Sequence, residues 1–363
     1  MKVALVHDWI NGLRGGERVL EALCELYPQA DLYTLIYEPG TSSKTIEDLP
    51  IYSTILGKLP KGKSHYRHYL PLMPLLIKQF NLSSYDLVIS SSHCVAKGVR
   101  TGDTLHICYL HSPMRYMWDL FNHYFSKEQA GLLTRTGAQL FRPYLKWWDR
   151  YSNRAVDHFI ANSAFVQQRA KRYYNRDAVV IHPPVNIDQF YPADEKENYY
   201  LIVSALVPYK KIDFAIDAFN QLNLPLKIVG SGSELSKLKS LANKNVELLG
   251  WQDQPTTVDL FAKAKAFIFP QIEDFGITAV ESQASGTPVI AFRGGGALET
   301  VIEGKTGLFF NEQSPAALID AVRRFESINI KSEDCVLNAQ RFNKNRFKKE
   351  FKNFVQKYTL TRT

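Results

Sequence analysis

No stretch of this 363-residue chain approaches the ~18–20 consecutive apolar residues that cross a bilayer, so a globular protein is expected. CxxC pairs and Cys/His clusters are also missing. The cysteines (Cys24, Cys94, Cys108, Cys335) stand far apart, which argues against a disulfide scaffold or a structural zinc and suits a reducing cytoplasm. No GxGxxG follows the first apolar run, so a nicotinamide-type Rossmann enzyme is not indicated. No DxD or histidine-rich set marks a strand end, and Glu273 and Asp274 are too close in sequence to converge on one ion. No metal is therefore expected. The opening MKVALVHDW meets His7 and Asp8 too early for a secretory signal. Helix-turn-helix, RNP and zinc-finger patterns are lacking, so nucleic acid is not an expected partner.

What is present is positive charge. Lys and Arg number 44 against 36 Asp and Glu, a net +8, which favours an anionic partner. The excess is local. Five basic residues (Lys58, Lys61, Lys63, Arg67, Lys78) lie between Leu49 and Tyr85 without one acid, interleaved with aromatics and followed by LPLMPLLI. That composition fits either a membrane-surface segment or a solvated face. A second block, Arg341–Tyr358, carries seven Lys/Arg against Glu350 alone. Its Phe347, Phe351, Phe354 and Tyr358 form a helical stripe, read as a core-docking helix with a basic back.

Short apolar runs alternate with helical patterns. KVALVH, DLVISSS, TLHICYLH and HFIANS read as buried strands; YYLIVSAL, LPLKIVG, VELLG, AFIFP and TPVIAF repeat the rhythm. This predicts α/β architecture with two doubly wound, Rossmann-like domains facing across a cleft. The expected division is an N-terminal domain over 1–183, a linker over 184–198, a second domain over 199–343 and an amphipathic helix over 344–363 packing back on the first domain. Ligands of such sheets sit beyond the strands' carboxyl ends.

The most informative segment is PQIEDFGITAVESQASGTPVIAF (270–292). A strand ends at Pro270, Glu273 lies in the following loop, and Phe275, Gly276, Ile277 and Thr278 open a helix carrying Glu281. Backbone amides at that helix start form a natural phosphate seat. Glu273 and Glu281, about two turns apart, suit sugar or ribose hydroxyls; equally, one is a solvated loop residue and the other a helix cap or salt-bridge partner.

E-D-F-G-I-x-x-x-E followed by A-S-G-x-P-V-I-A resembles retaining nucleotide-sugar transferases of glycosyltransferase family 4, with the GT-B fold. The resemblance extends through Gly15-Gly16, HSPMRYMWD, VPYK, GSG, LGW and GG-x-x-E-T-V. HSPMRYMWD and ISSSHCVAKGV resemble the GDP-mannose branch that builds O-antigens and exopolysaccharides. The resemblance implies that Glu281 holds ribose hydroxyls and Glu273 meets the hexose. The amides of Phe275 to Thr278 would meet hexose and diphosphate, and Lys210 would neutralise the leaving diphosphate. An Arg is common five residues before that lysine; here it is Ala205, and Lys211 or Arg14 would have to substitute.

Gly15 and Gly16 resemble the loop closing over the diphosphate, and His111 the histidine beside the sugar. Gly250 and Trp251 resemble the loop reading the base, and Arg115 and Asn162 fall where an acceptor would be contacted. For Lys210 a helix cap, for His111 a structural role and for GSG a plain turn are the competing readings.

The expected activity is retaining hexosyl transfer by front-face displacement, without a cofactor. The donor would be GDP-mannose and the acceptor a saccharide, lipid-linked, in the cytoplasm or peripheral at the inner face of the plasma membrane. A UDP-sugar transferase, a nucleotide-sugar epimerase and a non-catalytic nucleotide-sugar binder are the alternatives.

Overall fold

The structure, a computed structural model, describes residues 1–63, 65–125 and 131–360. The chain forms two compact units: Met1–Pro184 completed by the chain from Asn345 onward, and Val185–Lys344.

The first unit is a seven-stranded sheet: β1 (Val3–His7), β2 (Asp31–Thr34), β3 (Ile51–Ser53), β4 (Leu87–Ser92), β5 (Leu105–Leu110), β6 (His158–Ala161) and β7 (Ala178–Val180). All pairings are parallel, in the order β3-β2-β1-β4-β5-β6-β7. β1, β4 and β5 are buried along their whole length, which is why they read as unbroken apolar runs. The order reverses between β1 and β4, and there the loops part to leave a crevice. The helix Gly15–Leu26 buries Val19, Leu20 and Leu23 on one sheet face.

The helix Lys344–Thr359 belongs to the same core. Phe347, Phe351 and Val355 are buried with Leu5, Ile89 and Tyr109. The buried line runs i, i+4, i+8, so Phe354 and Tyr358 of the expected stripe fall at its edge, where Tyr358 stacks on His158 at 3.6 Å. Arg346 donates to the His182 carbonyl at 3.0 Å and Lys348 pairs with Glu25 at 2.8 Å. The last three residues of the expected helix, 361–363, lie outside the described residues.

The second unit is a parallel six-stranded sheet: β8 (Tyr200–Val203), β9 (Leu226–Val229), β10 (Val246–Gly250), β11 (Ala266–Phe269), β12 (Val289–Phe292) and β13 (Gly307–Phe310). Its order is β10-β9-β8-β11-β12-β13, with the reversal between β8 and β11. Each unit is thus a doubly wound, Rossmann-like α/β sheet, as the alternation of strands and helices predicts.

Two expectations differ from the structure. Residues 185–198 are no free linker: Val185 and Ile187 are buried against Phe275, Val280 and Phe342. The Lys196 ammonium binds the Ala262 carbonyl at 2.6 Å and the Thr287 hydroxyl at 2.7 Å. Prolines and charges suggested an open tether, but apolar residues between them found a core. Of the run LPLMPLLI, Met73 and Ile77 are fully buried while Leu72 and Leu75 face solvent, so only part of it is surface. Among the described residues no helix is long and apolar enough to cross a membrane.

Candidate functional site

In the second unit the chemistry gathers where β8 and β11 diverge. The chain leaves β8 through Ser204–Val207 into a single turn, Pro208–Lys210, and Lys211 then adopts a left-handed conformation (φ 58°) to start the next helix. The GSG segment supports this loop from below: Leu206 N–H donates to the Ser231 carbonyl and Glu234 N–H to the Leu206 carbonyl, both at 2.9 Å. GSG is thus a turn built against its neighbour.

After β11 the loop 270–276 brings Glu273 onto Lys210, and the ammonium donates to the carboxylate. Each side chain is only 14% exposed, so the pair is largely removed from water. Gly276 follows at φ 89° as N-cap of the helix Ile277–Ala284, and a Cβ there would lie 2.9 Å from the Phe269 ring. No other residue suits that backbone and that space. The loop is held from behind by the glycine run 294–296: Gly296 N–H donates to the Glu273 carbonyl at 2.9 Å, and a Cβ on Gly296 would strike the Phe275 backbone. Phe275 is buried, while Ile277, Thr278 and Glu281 are half-buried along the first turns of the helix. The amides of such a first turn have no acceptor within the helix. Gly250 ends β10 and the exposed Trp251 follows it; the Gly250 carbonyl accepts from Gly230 N–H at 2.7 Å.

In the first unit the loops after β1 and β4 meet in a histidine cluster. His7 opposes Ser91 across the β1–β4 ladder. The Ser91 hydroxyl bridges His7 Nδ1 (3.0 Å) and His111 Nε2 (2.7 Å). His93 lies against the Asp8 carboxylate at 3.1 Å, and the three rings stand 6.2–6.4 Å apart. Asp8 is fully buried and accepts four backbone N–H groups, from His93, Cys94, Val95 and Ala96, at 2.6–2.9 Å. Gly16 opens the next helix directly over His7 and His111: a Cβ would sit 3.5 Å from His7 Cε1. Glu17 faces His7 at 4.0 Å; desolvation pushes its carboxyl up, but the imidazole outweighs this and holds it below the usual range. Asn162 donates to the His111 carbonyl at 3.0 Å.

Desolvation, reinforced by His93, His7 and the Arg115 guanidinium, holds the His111 imidazole well below its ordinary value. Arg14 lines a cavity with Asn11, Lys63, His65, Arg67 and His68, and among the described residues that line it none is an Asp or Glu. Among the described residues no three His, Cys, Asp or Glu side chains could hold a metal.

The structure therefore brings Lys210, Glu273 and Gly276 together in the second unit, and Gly16, His111 and Asn162 in the first. Sequence reading missed His7, Asp8, Ser91 and His93. The available signal was a polar residue closing each buried strand.

Burial also sets a pH dependence. His106 Nδ1–H donates to the Ala155 carbonyl at 2.6 Å, and desolvation pushes its imidazole down to about 4. In the unfolded chain a histidine gains its proton near pH 6.5, so below that point the unfolded state binds more protons and stability falls with pH. For His106 alone the loss from pH 6.5 to 5 is about 2 kcal/mol. Urea unfolding at pH 7, 6 and 5 should show it, and a flat profile contradicts it.

Comparison with known proteins follows the same division. Residues 13–189 match the family described as Glycosyltransferase Family 4, and residues 186–342 match Glycosyl transferases group 1. An uncharacterized glycosyltransferase of Methanocaldococcus jannaschii is 30% identical over 182 residues, 49% of this chain and 52% of that protein. The D-inositol 3-phosphate glycosyltransferase of Streptomyces avermitilis is 31% identical over 207 residues, 47% of this chain and 44% of the relative. The chain thus spans about half the length of these curated relatives.

Among solved structures, sucrose-phosphate synthase from Thermosynechococcus elongatus superposes with a TM-score of 0.75 at 19% identity, covering 99% of this chain and 100% of that one. Anabaena HepE in complex with UDP gives 0.69 at 17% identity, covering 98% and 100%.

Proposed function

We propose, for a chain whose two halves match the Glycosyltransferase Family 4 and Glycosyl transferases group 1 families, that it transfers a hexose from a nucleotide-diphosphate sugar to a saccharide acceptor with retention. The observation that carries this is the buried Lys210–Glu273 contact beside the Gly276 helix start. A cation, a carboxylate and the first-turn amides of a helix at one strand-end crevice suit a diphosphate joined to a polyhydroxylated ring.

In this reading Lys210 leaves Glu273 for the diphosphate, with Lys211 as a second cation, and Glu273 turns to a hexose hydroxyl. Amides of Phe275 to Thr278 hold the diphosphate, Glu281 the ribose, and Gly250 and Trp251 the base. Gly15 and Gly16 cover the diphosphate and His111 contacts the sugar. The C1–O bond to the diphosphate breaks as the acceptor oxygen bonds C1 on the same face, and the acceptor proton passes to the departing phosphate oxygen. The protein's part is positioning and charge stabilisation.

GDP-mannose is the first donor to test. A UDP-sugar is the second, favoured by the fold neighbour that holds UDP. Arg115 and Asn162 would contact the acceptor, and the carboxylate-free cavity of Arg14, Lys63 and Arg67 would take an anionic group on it, such as the phosphate of a lipid-linked saccharide. The reaction would run in the cytoplasm, at the inner face of the plasma membrane.

Screening GDP- and UDP-hexoses by thermal unfolding tests the donor. The true one, at about 100 times its Kd, adds ~2.7 kcal/mol. Sugar isomerisation without acceptor would instead identify an epimerase, and binding without any turnover a non-catalytic binder.

A further inference from the structure

Ser91 stands between two imidazoles and has one hydrogen to give. It is fully buried near the end of β4, with its hydroxyl 3.0 Å from His7 Nδ1 and 2.7 Å from His111 Nε2. A hydroxyl carries a single O–H. For both contacts to be hydrogen bonds, one ring nitrogen donates to Oγ and the other receives its hydrogen. The tautomer of one neutral histidine therefore decides that of the other, although the rings stand 6.4 Å apart.

Glu17 breaks the tie. His7 Nε2 is buried without a hydrogen-bond partner, and Glu17 Oε1 faces it at 4.0 Å. Desolvation raises the Glu17 carboxyl, but the His7 imidazole outweighs this, so a carboxylate stands there. Its Oε2 accepts the Arg14 N–H at 3.0 Å, which fixes its place at the helix start. A carboxylate only accepts, so the hydrogen of neutral His7 belongs on Nε2. His7 Nδ1 then accepts the Ser91 O–H, Ser91 Oγ accepts Nε2–H from His111, and His111 Nδ1 is left bare. His93 stays out of this chain, because its Nδ1 lies against the Asp8 carboxylate at 3.1 Å. Among the described residues the His111 ring makes no hydrogen bond besides the one to Ser91. His111 is half-buried, and Nδ1 is its remaining polar atom.

We propose that Glu17, His7 and Ser91 are positioning residues that hold His111 with Nδ1 unprotonated, so that it accepts a hydrogen from a ligand hydroxyl and disfavours an oxygen that can only accept. That this hydroxyl belongs to a sugar rests on the glycosyl-transfer reading; the relay itself does not.

The test is nitrogen NMR of the full chain carrying isotope-labelled histidine, at neutral pH, which separates protonated from bare ring nitrogens. The His7 and His111 signals are assigned by their loss in H7Q and H111Q. In the native chain both residues should carry hydrogen on Nε2 alone. In E17Q the amide oxygen keeps the Arg14 N–H while the amide NH2 faces His7, so both histidines should switch to Nδ1–H with the melting temperature unchanged. Between S91A and E17Q/S91A only His7 should switch. His111 protonated at Nδ1 in the native chain, His7 protonated on both nitrogens, or an unmoved His111 in folded E17Q overturns the proposal. The native spectrum decides alone should E17Q not fold. UDP and GDP, free and as their hexose conjugates, are then titrated. A hexose conjugate that binds should shift the bare Nδ1 signal, and the free nucleotide should not. A bound hexose that leaves Nδ1 unmoved overturns the hydroxyl contact. Absence of binding by every conjugate would sink the transfer reading and leave the tautomers to judge the relay.

Discussion

Purified Lys210→Ala is expected to transfer sugar about 10²–10³-fold more slowly than the native chain, the usual cost of one lost charge contact at a developing anion. The geometry makes the substitution diagnostic. Lys210 stands on a single turn after β8 and touches Glu273. A purely structural ion pair would be disrupted equally by removing either partner, and its loss would appear first in stability. A leaving-group cation would appear in kcat, with the melting temperature nearly kept and donor binding only partly weakened. Glu273→Gln keeps the side chain's shape and frees Lys210, so it should impair turnover while leaving diphosphate binding at or above the native level. Near-native turnover of Lys210→Ala would remove the central assignment.

The second large effect is on stability. Lys97 is 1% exposed and its ammonium meets Asp149 at 2.6 Å and the Ser152 hydroxyl at 3.0 Å. Asp149 also accepts from Trp118 Nε1 at 2.8 Å and from the Tyr174 hydroxyl at 2.9 Å. Lys97→Met keeps the length and apolar stem but strands a buried carboxylate, which costs about 3–5 kcal/mol. Adding Asp149→Asn removes the stranded charge while keeping an acceptor for Trp118 and Tyr174, and should recover much of that loss. Urea unfolding measures both. A loss below about 1 kcal/mol in Lys97→Met would show that Asp149 is not paid for by this lysine.

The sheets were readable because β1, β4 and β5 are covered on both sides and so carry no polar alternation. The Gly276 helix start was readable too, since a glycine before an amphipathic run at a strand end has few other uses. What the sequence concealed is register. His7 and Ser91 lie 84 positions apart, and Ser91 and His111 20 apart, and only the pairing of β4 with both β1 and β5 brings them together. Lys210 and Glu273, 63 positions apart, meet because β8 and β11 are neighbours at the reversal of strand order. Leu133, Leu140 and Trp147 of the helix Leu132–Tyr151 escaped for another reason: they point outward beside the buried Leu145 and Trp148, and periodicity alone assigns all of them to a core. Base and hexose preference leave no such pattern, because they depend on contacts in the bound state.

The path of the chain has a consequence for how the protein is made. It leaves the first unit after Pro184 and returns at Asn345, while the second unit is one uninterrupted stretch. During translation the second unit can therefore condense before the first is complete. Until residues 345–359 emerge from the ribosome, the sheet surface around Leu5, Ile89 and Tyr109 waits without Phe347 and Phe351. That interval exposes oily surface on a nascent chain, the condition in which holding chaperones bind.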